Sequence, residues 1–238
     1  MKYIYFLILC SYLSACASNA PSNSKPIPER HDRSTGNQLI KSDFDRMADV
    51  ELSENLQSLR LLMLKLYKRN PHELAKSTTD NAEKMVDWVF DGDEQHHFKF
   101  KELNNKQDTE AIFLAFDPKY KGDRVLSFIV GLHTMLLKAH GNKTDFYLTD
   151  SLDPQKIYNV ARNVEIAAWK LANARDSSGK LYLLSNEMSA QGQNLSFERE
   201  FGKMIGSMDL FSITLAEKSQ RTISRVVQNI ATALFLPF

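Results

Sequence analysis

From residue 40 onward, apolar positions recur at intervals of three and four along most of the chain, the signature of helices that bury one face. Leu52, Leu56, Leu59, Leu62, Met63 and Leu66 form the first stripe, which stops at Asn70-Pro71. Asn70 reads as an N-cap there, with Pro71 as the first residue of the next helix. A further segment from Asp80 to Phe90 places Ala82, Met85, Val86 and Val89 on one side. Residues 97–101 (HFKFK) alternate and predict a short strand. Residues 123–140 (DRVLSFIVGLHTMLLKAH) are apolar around most of a helical circumference, with Ser127, Thr134 and Lys138 as a narrow polar stripe and Gly141 as the stop. Such a helix belongs at the centre of a bundle.

Asp153-Pro154 opens another helix, reaching about Arg175, with Ile157, Val160, Ala161, Val164, Ala168 and Leu171 along its apolar side and Asn159, Asn163, Lys170 and Asn173 opposite. Asp176 to Gly179 is a turn, and residues 181–184 (LYLL) predict a second short strand. The last third, from Ser196 to Leu236, is predicted helical, with a bend or close packing at the small pair Gly202 and Gly206. Ile223, Val226, Val227, Ile230 and Leu234 form one face at its end, which predicts a helix docked on the core. The fold expected is mainly α, a bundle-like domain over residues 40–238 with one or two short β-strands.

The front of the chain is built differently. Lys2 gives a positive start, residues 3–10 (YIYFLILC) are an unbroken apolar run, and Ser11 to Ala15 are mostly small or polar. This is the layout of an export signal, and its apolar run is far shorter than the roughly 20 residues a membrane-crossing helix needs. Leu13-Ser14-Ala15-Cys16 resembles the lipobox of bacterial lipoproteins. The resemblance covers residues 1–17. It implies a signal peptide (1–15) cut before Cys16, diacylglyceryl and acyl groups on Cys16, and a membrane as partner through that lipid. Two or more chains anchor durably where one does not. In enteric lipoproteins the residue after the cysteine sorts the protein, and Ala17 in place of an aspartate implies the outer membrane. Residues 16–39 carry the cysteine and a segment rich in Ser, Asn and Pro with almost nothing apolar to bury, which predicts a disordered linker. As a flexible coil it would span on the order of 25 Å.

Composition then narrows the function classes. In 238 residues, 30 Lys+Arg balance 29 Asp+Glu, so no basic excess points to nucleic acid. The two cysteines are Cys10, inside the signal, and Cys16, under lipid, so the mature chain is expected to have no thiol chemistry and no disulfide. Hydrolase elbows, zinc-protease pairs and phosphate or dinucleotide glycine loops are absent from the sequence. His72-Glu73 begins like a zinc motif, but Lys76 stands at the second histidine's place.

Two constellations remain. Asp91, Asp93, His96 and His97 crowd oxygen and imidazole donors into seven residues without EF-hand spacing, a weak metal candidate or a solvated acidic turn. His133 and His140 lie seven apart on the apolar side of one helix, and Glu165 and Arg162 sit on the next. Buried without partners these groups would be costly. They predict either a polar site between helices, in which a carboxylate orients an imidazole and Arg162 binds a ligand, or a buried network that fixes helix register. The sequence favours a non-catalytic, cofactor-free binding or scaffolding protein of the envelope with a protein partner. An envelope hydrolase and a helical carrier of an apolar ligand are the alternatives.

Overall fold

Ser42 starts the first helix, α1 (Asp43–Arg69), through a capping box: its hydroxyl accepts from the Asp45 amide, and the Asp45 carboxylate accepts from the Ser42 amide at 2.7 Å. Just before it, Lys41 Nζ contacts Asp49 at 2.5 Å and Asp145 at 3.2 Å and lies over the Tyr147 ring. The computed structural model describes residues 41–189, 192–225, 230 and 232–238. They belong to one unit, Leu39–Phe238. The signal, Cys16, Ala17 and the linker lie outside the described residues.

The chain continues through α2 (Pro71–Ser77), α3 (Ala82–Asp91), the short α4 (Asp93–His96), a 3₁₀ turn (Lys101–Leu103), α5 (Asp108–Ala115), α6 (Arg124–Ala139) and α7 (Pro154–Asn173). A short antiparallel pair, β1 (Glu187–Ser189) and β2 (Gly192–Asn194), precedes α8 (Ser196–Ser219). The fold is mainly α, as the periodicity predicts. Helix α6 is buried at every position from Arg124 to Met135 and lies against α1, α5 and α7, while α8 lies against α1 and α7.

Local chemistry sets the boundaries. Asp123 caps α6 by accepting from the Leu126 amide, and Asp153 caps α7 by accepting from the Gln155 amide. The polar stripe of α6 faces α5, with Ser127 and Thr134 buried against it. Ser127 Oγ donates to the Ala111 carbonyl, Thr134 Oγ1 accepts from the Asp108 amide, and between them Gly131 lets the helices meet. A Cβ on Gly131 would lie 2.5 Å from Ile112 Cγ1 and 2.7 Å from the Asp108 carbonyl oxygen.

Five expectations are corrected. Residues 97–101 are not a strand: His97 and Phe98 both have positive φ (49° and 51°), and the alternation arises because Phe98 and Phe100 are buried on either side of exposed Lys99. Residues 181–184 are not a strand either, since Leu181 makes only an isolated bridge to Arg175 and Leu184 is held at both its amide and its carbonyl by the Asn70 side chain. That engagement also means Asn70 does not cap α2 with its side chain. A methyl group on Gly202 or Gly206 would meet nothing within 4 Å, so these glycines serve no close helix contact.

The fifth correction is the carboxy-terminal helix. Gln220, in the left-handed conformation, ends α8, and residues 221–225 and 233–238 are not helical. Residues 226–229, with Val226 and Val227, lie outside the described residues. The polar side of α7 explains the departure. Asn163 donates to the Leu236 carbonyl at 2.8 Å and accepts from the Leu236 amide at 2.6 Å, and Asn159 donates to the Pro237 carbonyl at 2.7 Å. These amides give an extended tail the backbone partners that a helix would otherwise supply.

Candidate binding cleft

The stripe of α1 does not bury uniformly. Leu52, Ser53, Leu56, Gln57 and Arg60 turn toward Phe90 of α3, Phe98, His133 and Leu137 of α6, and Thr144, and together they line a cleft of about 340 Å³. Phe98, reached through left-handed backbone at His97 and Phe98, lies face to face on the His133 ring, with centroids 3.5 Å apart and planes 12° from parallel. Phe90 meets the same imidazole edge-on at 5.6 Å. His133 is only 4% exposed, and its Nδ1 is buried without a hydrogen-bond partner. Burial first, and then the nearby His96, push its pKa down to about 3, so the imidazole at the cleft floor is neutral near pH 7.

At the rim, Arg60 is fully engaged. It grips Asp91 with both terminal nitrogens, at 2.6 and 2.8 Å, and Asp87 at 2.5 Å. The Asp91 hydrogen bond above all raises the guanidinium pKa, and Arg60 in turn holds the Asp91 carboxyl below its ordinary range. Asp91 therefore faces Arg60 rather than a metal.

His140 stands two helical turns from His133, roughly 10 Å along the axis, in a different setting. Its Nδ1 lies 2.8 Å from the Leu136 carbonyl and its Nε2 2.8 Å from Glu51 Oε2. A carbonyl only accepts, so Nδ1 carries a proton and donates. Glu51 Oε1 accepts from Asn55 Nδ2, and Asn55 Oδ1 accepts from Ser207 of α8 at 3.0 Å. This chain of four side chains ties α1, α6 and α8 together, with Glu51 6% and His140 1% exposed.

The carboxylate that orients a histidine is thus Glu51, not Glu165. Glu165 pairs with Arg162 at 3.1 Å, and Arg162 pairs with Asp209 of α8 at 2.6 Å and covers the Tyr158 ring. Burial raises the Glu165 pKa while Arg162 opposes the rise. Expected at one site, the three candidates occupy three: His133 in the cleft, His140 in the Glu51 relay, and Glu165 with Arg162 at the α7–α8 contact. Arg162 is held by carboxylates of its own chain, which removes it as a free ligand-binding cation.

His96 turns into an aromatic cluster. Its Nδ1 accepts from the Phe98 amide at 3.0 Å, and its ring lies 4.5 Å from Phe100 and 5.3 Å from Trp88. His97 is exposed, and Asp93 opens α4. Among the described residues no group of three or more His, Cys, Asp or Glu converges as a metal ligand set, and no helix is long and apolar enough to cross a membrane.

Sequence reasoning missed Glu51, Asn55 and the cleft wall. One signal was present: Asn55 falls on the buried line Ala48, Leu52, Leu59, Leu62, where an amide needs a partner. No protein-family description, no curated protein and no solved structure matches the chain.

Proposed function

We propose that this chain is a lipid-anchored lipoprotein of the bacterial envelope, held through Cys16 at the periplasmic face of the outer membrane, that works by binding rather than by catalysis. The observation that carries the second half is the dispersal of the titratable candidates. A hydrolase of envelope polymers needs an acid/base group and its orienting partner beside an accessible substrate position. Of the two candidate histidines, His140 has an orienting carboxylate but is sealed by Glu51 and Leu136, and His133 lines a cleft that has no carboxylate among its lining residues. The cleft favours a carrier role over pure scaffolding. A protein partner in the envelope remains part of the proposal, to be captured by cross-linking in intact cells.

The anchor rests on the Leu13-Ser14-Ala15-Cys16 box behind its apolar run. Fractionation of cells that make the full chain tests it. The protein is expected with the outer membrane, Ala17→Asp with the inner membrane, and Cys16→Ser without lipid label and unprocessed. Lipid labelling that survives Cys16→Ser overturns the anchor.

A further inference from the structure

We propose that the cleft between α1, α3 and α6 binds a small uncharged amphiphile, an apolar body carrying one hydroxyl or amide group that hydrogen-bonds His133. This deepens the binding role above and rests on it. The walls supply the apolar half. Leu56, Phe90 and Leu137 offer aliphatic and aromatic surface, backed by the buried Leu52 and Phe98. At about 340 Å³ the space lies at the lower end of the roughly 300–1,000 Å³ that small-molecule sites occupy.

The floor supplies the polar half. His133 lines the cleft, yet nine-tenths or more of it is buried and its Nδ1, closed to solvent, has no partner within the fold, an arrangement that is destabilising until a partner reaches it. A neutral imidazole has one donor and one acceptor nitrogen, so a hydroxyl or amide, which both gives and takes a hydrogen bond, satisfies it in either tautomer. The backbone supports the same site. Phe98 is a bulky residue at positive φ, a conformation that persists only where surrounding structure enforces it, and it is spent on stacking against this imidazole.

Charge decides against an anionic head. The nearest cation, Arg60, is held by two carboxylates, Asp87 and Asp91, so this rim trio is net negative and has no free donor pointed at an incoming carboxylate or phosphate. Among the described residues no other lysine or arginine lines the cleft.

The test uses two probes of matched shape, uncharged N-phenyl-1-naphthylamine, with one N–H group, and its sulfonated counterpart 1-anilinonaphthalene-8-sulfonate. Each is titrated by fluorescence into the full chain carrying Cys16→Ser, so that no acyl chain competes. The neutral probe is expected to saturate at one site and to bind at least tenfold tighter than the sulfonate. Ser53→Trp places an indole across the exposed rim. It should weaken the neutral probe at least tenfold at unchanged melting temperature, while any binding to the amino-terminal apolar run stays as common background. His133→Phe keeps the stack on Phe98 and should weaken the neutral probe about fivefold, the worth of one ordinary hydrogen bond. Equal affinity for the two probes, or no effect of Ser53→Trp, overturns the proposal. An unchanged affinity in His133→Phe overturns the role of the imidazole. If neither probe binds while Cys16 still directs the protein to the outer membrane, this ligand class fails and the anchored binding protein stands.

Discussion

At His133 the unfolded chain and the folded domain hold a proton with very different strength. In the unfolded chain the imidazole titrates near its ordinary value of about 6.5. In the fold, burial among Phe90, Phe98 and the α1 wall pushes the pKa down to about 3, with His96 adding to the fall. Between those values the unfolded state binds the proton and the native state does not. Stability therefore rises with pH through this window and is lost on acidification, by up to about 1.4 kcal/mol per pH unit from this one group. The contribution is fully present above about pH 6.5. Melting temperatures of the wild type and His133→Phe, measured from pH 7 to pH 4, should shift relative to each other in the variant's favour as pH falls, because only the wild type gains a proton at this position on unfolding. Parallel curves would mean that the imidazole is more solvated than its contacts indicate. His140, two turns away, has both nitrogens already facing acceptors. The same residue type thus holds an unmet polar atom within α6 and satisfied ones at its carboxy-terminal cap.

At the scale of elements, the closest approach of two helices at a glycine is between α5 and α6 at Gly131. A methyl group there would strike Ile112 and the Asp108 carbonyl oxygen, atoms that cannot swing away because one is buried and the other is backbone. Gly131→Ala is expected to lower stability by about 1–3 kcal/mol despite the better helix propensity of alanine, read from urea unfolding at constant slope. A neutral or stabilising result would mean that α5 can slide on α6. Helices α1, α3, α6 and α7 were legible in the sequence because each is long, periodic or capped by a side chain. Helix α5 was not, because DTEAIFLA is short and apolar on several sides and shows no stripe. The predicted strands failed for a related reason. Alternation in HFKFK records burial, which has the same period in a turn that tucks in two phenylalanines as in a strand, whereas in LYLL only Leu183 is buried and Leu184 is exposed. Which carboxylate would meet which histidine was illegible in principle, since Glu51 and His140 are 89 residues apart and only the packing of α1 on α6 joins them.

Across the whole molecule, the carboxy-terminal tail and the amino-terminal clasp close the domain from opposite ends of the sequence. The tail depends on α7, where Asn163 engages both backbone groups of Leu236 while Phe235 meets Phe113 edge-on at 5.1 Å. Asn163→Ala should leave those two groups unpaired, lower stability by about 1–3 kcal/mol and speed amide exchange over residues 232–238 while α6 stays protected. Unchanged exchange there would show that the aromatic contacts alone hold the tail. At the other end, Lys41 binds Asp49 within α1 and Asp145 across the sequence, and Asp49 also accepts from the Phe146 amide at 2.9 Å. Any tension arriving along the chain from the amino-terminal side meets this clasp before it reaches the first turn of α1. The load is divided between a helix and the loop that precedes α7, so the domain is gripped by two of its parts, and α1 is spared being unwound from its capped end like a thread from a spool.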